Sequence, residues 1–163
     1  MKKLLVFAAA VAAAALLGWM PARPRDVGRL LPAQVLVLSG REGDLTLDGG
    51  KDLRGRGATW AEAVADLRAT APGEAFFGTV AHIVLAEETA GALEAVLQDP
   101  ALRPAARVYL GLGEPEAEEA ATFLTAHRGG VTLQDLQEAW LEEELVTLPR
   151  LVAEEGRYRL LDG

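Results

Sequence analysis

The sequence predicts an α/β (α+β) fold: a single domain with a mixed β-sheet of about four to five strands flanked by about three to four helices, following an N-terminal apolar leader. Three observations carry this expectation. Half of the 163 residues are apolar, enough material for one core. Short β-branched runs alternate with segments of helical period, the signature of strands joined by crossover helices. Two of the early runs stand close enough to form a hairpin, so the sheet is expected to mix directions.

The leader spans residues 1–20. Met1-Lys2-Lys3 followed by the apolar run from Leu4 to Leu17 has the positive start and short hydrophobic stretch of an export signal. Gly18-Trp19-Met20-Pro21 offers no clean cleavage site. Up to Met20 the run reaches the lower edge of the roughly 17–25 residues needed to cross a bilayer. We therefore expect an extracytoplasmic body tethered through residues 4–20, or a secreted one if the leader is cut. Residues 21–33, with Pro21, Pro24 and Pro32 interleaved with arginine, read as an extended stalk, and 34–163 as the domain itself.

Within the domain, Val35–Leu38 is a doubly buried strand. Ser39–Gly43 turns into the alternating Asp44–Asp48. Residues 49–57 hold four glycines and read as a mobile loop; their spacing fits neither a phosphate loop nor a dinucleotide fingerprint. Thr59 caps a helix with Glu62 three positions on, and Trp60, Val64 and Leu67 share a face until Pro72-Gly73. Val80–Leu85 is the strongest strand candidate. Glu87-Glu88-Thr89 opens a second helix that runs to Leu97 and closes at Asp99-Pro100. Arg107–Leu110 is a further strand. Pro115, with Glu114, Glu116, Glu118 and Glu119, suits a third helix start, where acids meet the positive end of the dipole. Thr132 caps a short helix through Trp140, Leu145–Leu151 holds Pro149, and Arg157–Leu161 alternates like an edge strand.

Composition narrows the chemistry. The chain has no cysteine, which excludes disulfides, thiolate metal sites and cysteine nucleophiles. It carries 16 Lys+Arg against 24 Asp+Glu, a net charge of −8, which disfavours nucleic acid as a partner. The glutamates at the third helix start are consecutive helical residues, so no metal is expected there. Ser39 is the only serine, and His82 and His127 are the only histidines. The best catalytic constellation would be His82 with Glu87 or Glu88, but His82 lies in an apolar strand and reads as a packed residue. His127 near a helix end reads as a dipole contact. Trp60, Trp140, Tyr109 and Phe76-Phe77 could line a ligand cleft, though core burial is the favoured reading. No catalytic residue, cofactor or metal ligand is assigned.

The order of motifs resembles the N-terminal domain of the Ger(x)C family, the lipoprotein C subunits of spore germinant receptors. Gly57-Ala58-Thr59-Trp60-Ala61-Glu62-Ala63 is similar to the family's helix start. Phe76-Phe77-Gly78, leading through Ile83–Ala86 to Glu87-Glu88-Thr89-Ala90, resembles its aromatic-glycine strand and Glu-Glu-x-Ala helix. Leu97-Gln98-Asp99-Pro100-Ala101-Leu102-Arg103 resembles its Asp-Pro-containing segment, departing at Gln98 and Ala101. The motif residues are thus Gly57, Thr59, Glu62, Ala63, Phe77, Gly78, Glu87, Glu88, Ala90, Asp99, Pro100 and Arg103.

Weaker likenesses are the charged start Arg25–Leu30, Leu148-Pro149-Arg150-Leu151 and the terminal Arg159–Gly163, which resembles the exit into the family's second domain. Members have a cysteine after Leu-x-Gly. Here Leu16-Leu17-Gly18 runs directly into Trp19, so no sulfur is present there for a lipid thioether. The resemblance implies a non-catalytic accessory subunit that acts by protein contacts with multi-pass membrane subunits of a germinant receptor in nutrient-triggered germination. The spore inner membrane is its implied location. The alternative is an exported small-ligand binding domain with no germination role.

Overall fold

The computed structural model describes residues 27–127, 129–154 and 156–162. The leader and residues 21–26 of the expected stalk lie outside them. The last residues of that stalk, Leu30–Pro32, are strand β1, paired in parallel with β5 (Glu74–Phe76) in a two-stranded sheet.

The main sheet has eight strands. Besides β2 (Val35–Arg41), β3 (Asp44–Asp48), β6 (His82–Ala86) and β7 (Arg107–Gly113), it contains β4 (Arg54–Gly57), β8 (Val131–Thr132), β9 (Arg150–Glu154) and β10 (Arg157–Leu161). Across the sheet the order is β10-β9-β7-β6-β2-β3-β4, with β8 beside β7. Strands β2, β6, β7 and β9 run parallel, and antiparallel pairs close both ends. The α/β class and mixed sheet are as the sequence predicts, but the strands outnumber the expected four to five. The additional ones are short or carry unusual residues: β4 is Arg-Gly-Arg-Gly, β8 has two residues, and β9 follows Pro149.

The helices are α1 (Trp60–Thr70), α2 (Leu93–Leu97), α3 (Ala117–Ala126) and α4 (Leu133–Leu141). Glu87–Ala92, expected as the first turns of the second helix, winds as a 3-10 segment instead. Helix α3 starts after Glu116, so Pro115 stands ahead of the helix and outside its first turn. The expected strand Val80–Leu85 is found as β6, starting two residues later at His82, and a 3-10 turn at Phe77–Thr79 precedes it.

Two apolar layers sandwich the sheet. On one face Leu36, Leu38, Leu47, Ile83, Leu85 and Val108 pack with α1, α2 and α4. On the other, Val35, Val37, Val84, Tyr109 and Leu151 meet α3 alone through Ala117, Ala120 and Leu124. The central strand β6 is buried along its whole length, as expected of a parallel strand covered on both faces.

The glycine-rich stretch 49–57 is where the structure departs most from expectation. A mobile loop was the natural reading of four glycines, but Arg54–Gly57 is a strand and α1 lies directly on it. A Cβ on Gly55 would sit 2.2 Å from the Ala63 carbonyl oxygen and 2.4 Å from the Leu67 nitrogen. On Gly57 it would sit 2.5 Å from the Ala63 nitrogen. These glycines allow a helix to approach a strand backbone to backbone.

Candidate functional site

Part of the motif set forms a structural seam. Thr59 caps α1, its Oγ1 accepting the Glu62 N–H at 3.3 Å. The Glu62 carboxylate reaches back to the Ala58 N–H at 2.8 Å, and Ala63 is buried against Gly57. Trp60 Nε1–H donates to Asp99 Oδ2 at 2.9 Å, and the other Asp99 oxygen accepts the Ala101 N–H at 2.9 Å. The first and third motif stretches therefore meet through a Trp60–Asp99 bond that ties α1 to the turn after α2. Pro100 and Arg103 on that turn are exposed. Phe77 is buried under the Arg68 guanidinium, 5.2 Å from its ring centre, and exposed Gly78 lies beneath the Phe76 ring. Glu87, Glu88 and Ala90 are exposed, whereas Thr89 among them is buried. Thr89 Oγ1 lies within reach of the carbonyls of Ala86, at 2.9 Å, and Leu38, at 3.1 Å. A hydroxyl just after two glutamates at a strand end gives little signal in the sequence, although this contact holds β2 to β6.

The histidines are occupied by packing. His82 begins β6, and Glu87 and Glu88 follow its far end, so at roughly 3.3 Å per residue they stand about 16 Å or more apart along the strand. They form no catalytic pair. Tyr109 O–H donates to the Gly129 carbonyl at 2.6 Å, and its oxygen lies 3.3 Å from His82 Nδ1. A phenol has one proton, and here it is committed to Gly129, so His82 Nδ1 carries the hydrogen of their contact. Burial, with Arg107 and Arg103 nearby, pushes the His82 pKa down to about 4. His127 stacks on Phe123 with ring centres 4.1 Å apart, and its Nδ1 lies 2.9 Å from the Phe123 carbonyl oxygen. It closes α3 at the dipole's negative end, as the sequence suggests.

Two surface features stand apart. The first is a groove of ≈ 580 Å³ between β1, the turn 49–53 and α3, lined by Leu31, Gln34, Lys51, Leu53, Thr122 and Thr125 among others. Glu118 fixes its rim by accepting the Lys51 N–H at 2.9 Å, where Lys51 takes a positive φ of 51°. None of the aromatics proposed for a cleft lines it. Trp60, Phe77 and Tyr109 are core residues, and Phe76 and Trp140 lie on the surface.

The second feature is an apolar strip where α4 ends. Trp140 is 57% exposed, Leu141 83%, Leu145 104% and Val146 39%, all within seven positions. Three glutamates, Glu142–Glu144, are interleaved with them and exposed. The buried face of α4 is Leu133, Leu136 and Ala139. Leu141, one residue beyond the expected helix end at Trp140, falls off that face. Among the described residues no helix is long and apolar enough to cross a membrane. Comparison with protein-family models, with curated proteins and with solved structures finds no match to this chain.

Proposed function

We propose that this chain is a non-catalytic extracytoplasmic accessory subunit, similar to the N-terminal domain of spore germinant receptor C proteins, acting by protein contact with multi-pass membrane subunits in nutrient-triggered germination. The observation that carries the contact reading is the strip Trp140, Leu141, Leu145 and Val146. Four large apolar side chains held in water within one short segment, one of them tryptophan, have the composition of an interface core. The interleaved glutamates favour a protein over a lipid surface, since anionic headgroups repel them. Residues 4–20 supply the tether in this reading, and the lipid anchor of the resembled family is replaced by that segment. Co-purification from membranes in mild detergent tests it. Multi-pass subunits should accompany the chain, and their absence contradicts the proposal.

The groove beside α3 supports a second reading, an exported small-ligand binding domain. Its mixed lining and volume suit a small polar molecule. Thermal-shift screening against amino acids and sugars separates the two. A shift abolished by Thr122→Trp, which fills the groove, favours ligand binding. No shift with any of these compounds favours the contact reading.

A further inference from the structure

The two edges of the main sheet are finished differently. At β4 the outward backbone is satisfied by α1: the Arg56 N–H donates to Asp66 Oδ2 at 2.8 Å, and Thr70 Oγ1 donates to the Arg54 carbonyl at 3.0 Å. Among the described residues nothing comparable covers β10: there it pairs with β9 alone, and no hydrogen bond from another described element reaches the backbone of Arg157–Leu161. An unplugged edge of five residues presents a row of donors and acceptors ready for another strand.

The side chains specify what that strand would be. Register with β9 places Tyr158 and Leu160 on the α3 side, level with Ala153 and Leu151. They are half-buried there: Tyr158 lies 5.7 Å from the Phe123 ring centre, and Leu160 packs against Gly129. This is the last, incompletely covered row of the α3-side core. On the opposite face the register aligns Arg157 with Glu154 and Leu161 with Arg150, and Arg159 lies between. Three arginines against one glutamate make this face of the edge basic in a chain whose net charge is −8, whereas on the α3 side Glu116 and Glu119 lie beside Tyr158. Arg159 already pairs with Glu154 at 2.7 Å, but both are about two-thirds exposed, so an incoming carboxylate competes for it at little cost.

We propose that β10 is a strand-addition site for an extended partner segment that alternates aliphatic and acidic residues. The aliphatic side chains complete the Tyr158–Leu160 row, and the acidic ones face Arg157 and Arg159. A second copy of β10 is disfavoured by charge. Antiparallel pairing centred on Arg159 sets that residue against itself, and centring on Tyr158 sets Arg157 against Arg159. This site is independent of the strip at the end of α4 and stands or falls separately from the proposed function.

The test uses the full chain in mild detergent with two soluble peptides, Thr-Glu-Val-Glu-Val-Glu-Thr and the same sequence with lysine in place of glutamate. Amide hydrogen exchange should slow about tenfold across Arg157–Leu161 with the acidic peptide only. An Arg157→Glu/Arg159→Glu variant, altered only at exposed side chains, should invert the preference toward the lysine peptide while its melting temperature holds. Equal protection by both peptides, protection confined to other strands, or protection of β10 that grows with protein concentration without peptide would each overturn the proposal, the last by naming a second copy as occupant.

Discussion

At the scale of single residues, His82 shows how burial converts a candidate catalyst into a structural part. Its imidazole donates to a phenol that is itself committed to the Gly129 carbonyl, so the pair fixes the chain between α3 and β8. The folded state holds His82 near a pKa of 4 against an ordinary value of 6.5. The unfolded chain therefore binds more protons between those values. Its contribution to stability is complete above about pH 6.5 and is lost as pH falls toward 4, amounting to on the order of 1–2 kcal/mol by pH 5. Denaturant unfolding at pH 7.5 and 5 should show this loss in the native chain and a smaller one in His82→Phe. An unchanged pH dependence in the variant would contradict the assignment.

At the scale of elements, the contact of α1 with β4 is the most exacting in the fold. Gly55→Ala forces a Cβ into backbone atoms of Ala63 and Leu67, so we expect a loss of about 1–3 kcal/mol, read as a lowered denaturation midpoint. A neutral Gly55→Ala would mean that the helix and strand are not in direct backbone contact. This element also shows what a sequence conceals. Periodicity marks α1, continuous apolar runs mark β2, β6 and β7, and the Thr59 and Thr132 caps of α1 and α4 are readable from residue type alone, whereas the parallel strand β9 behind Pro149 is not. The strand Arg54–Gly57 has no apolar residue to mark it. Its glycines answer to a helix elsewhere in the chain, and a local reading can only see flexibility. For the same reason Trp60 and Asp99, thirty-nine positions apart, gave no hint of their hydrogen bond.

At the scale of the whole molecule, among the described residues the sheet has one face covered by three helices and the other by α3 alone, with one edge plugged by side chains of α1 and the other unpaired. Of the motif residues that suggested a family, Gly57, Thr59, Glu62, Ala63 and Asp99 lie in or beside the packing seam between α1 and the turn after α2, whereas Glu87, Glu88, Ala90, Pro100 and Arg103 are exposed. The two proposed recognition surfaces lie elsewhere, at the end of α4 and along β10. The strip was only partly legible, because Trp140 and Leu145 look like core residues until the helix phase shows that the core is already filled by Leu133, Leu136 and Ala139.

In the proposed function this domain works through protein contact at that strip. The most direct measurement compares the native chain with a Trp140→Ser/Leu145→Ser variant expressed at equal level, isolated from membranes in mild detergent, and quantifies the multi-pass subunits recovered with each. Both side chains are more than half exposed, so the variant should keep the native melting temperature. The account predicts at least about a tenfold fall in recovered subunits, the cost of losing a buried tryptophan anchor. Equal recovery with both chains would contradict it.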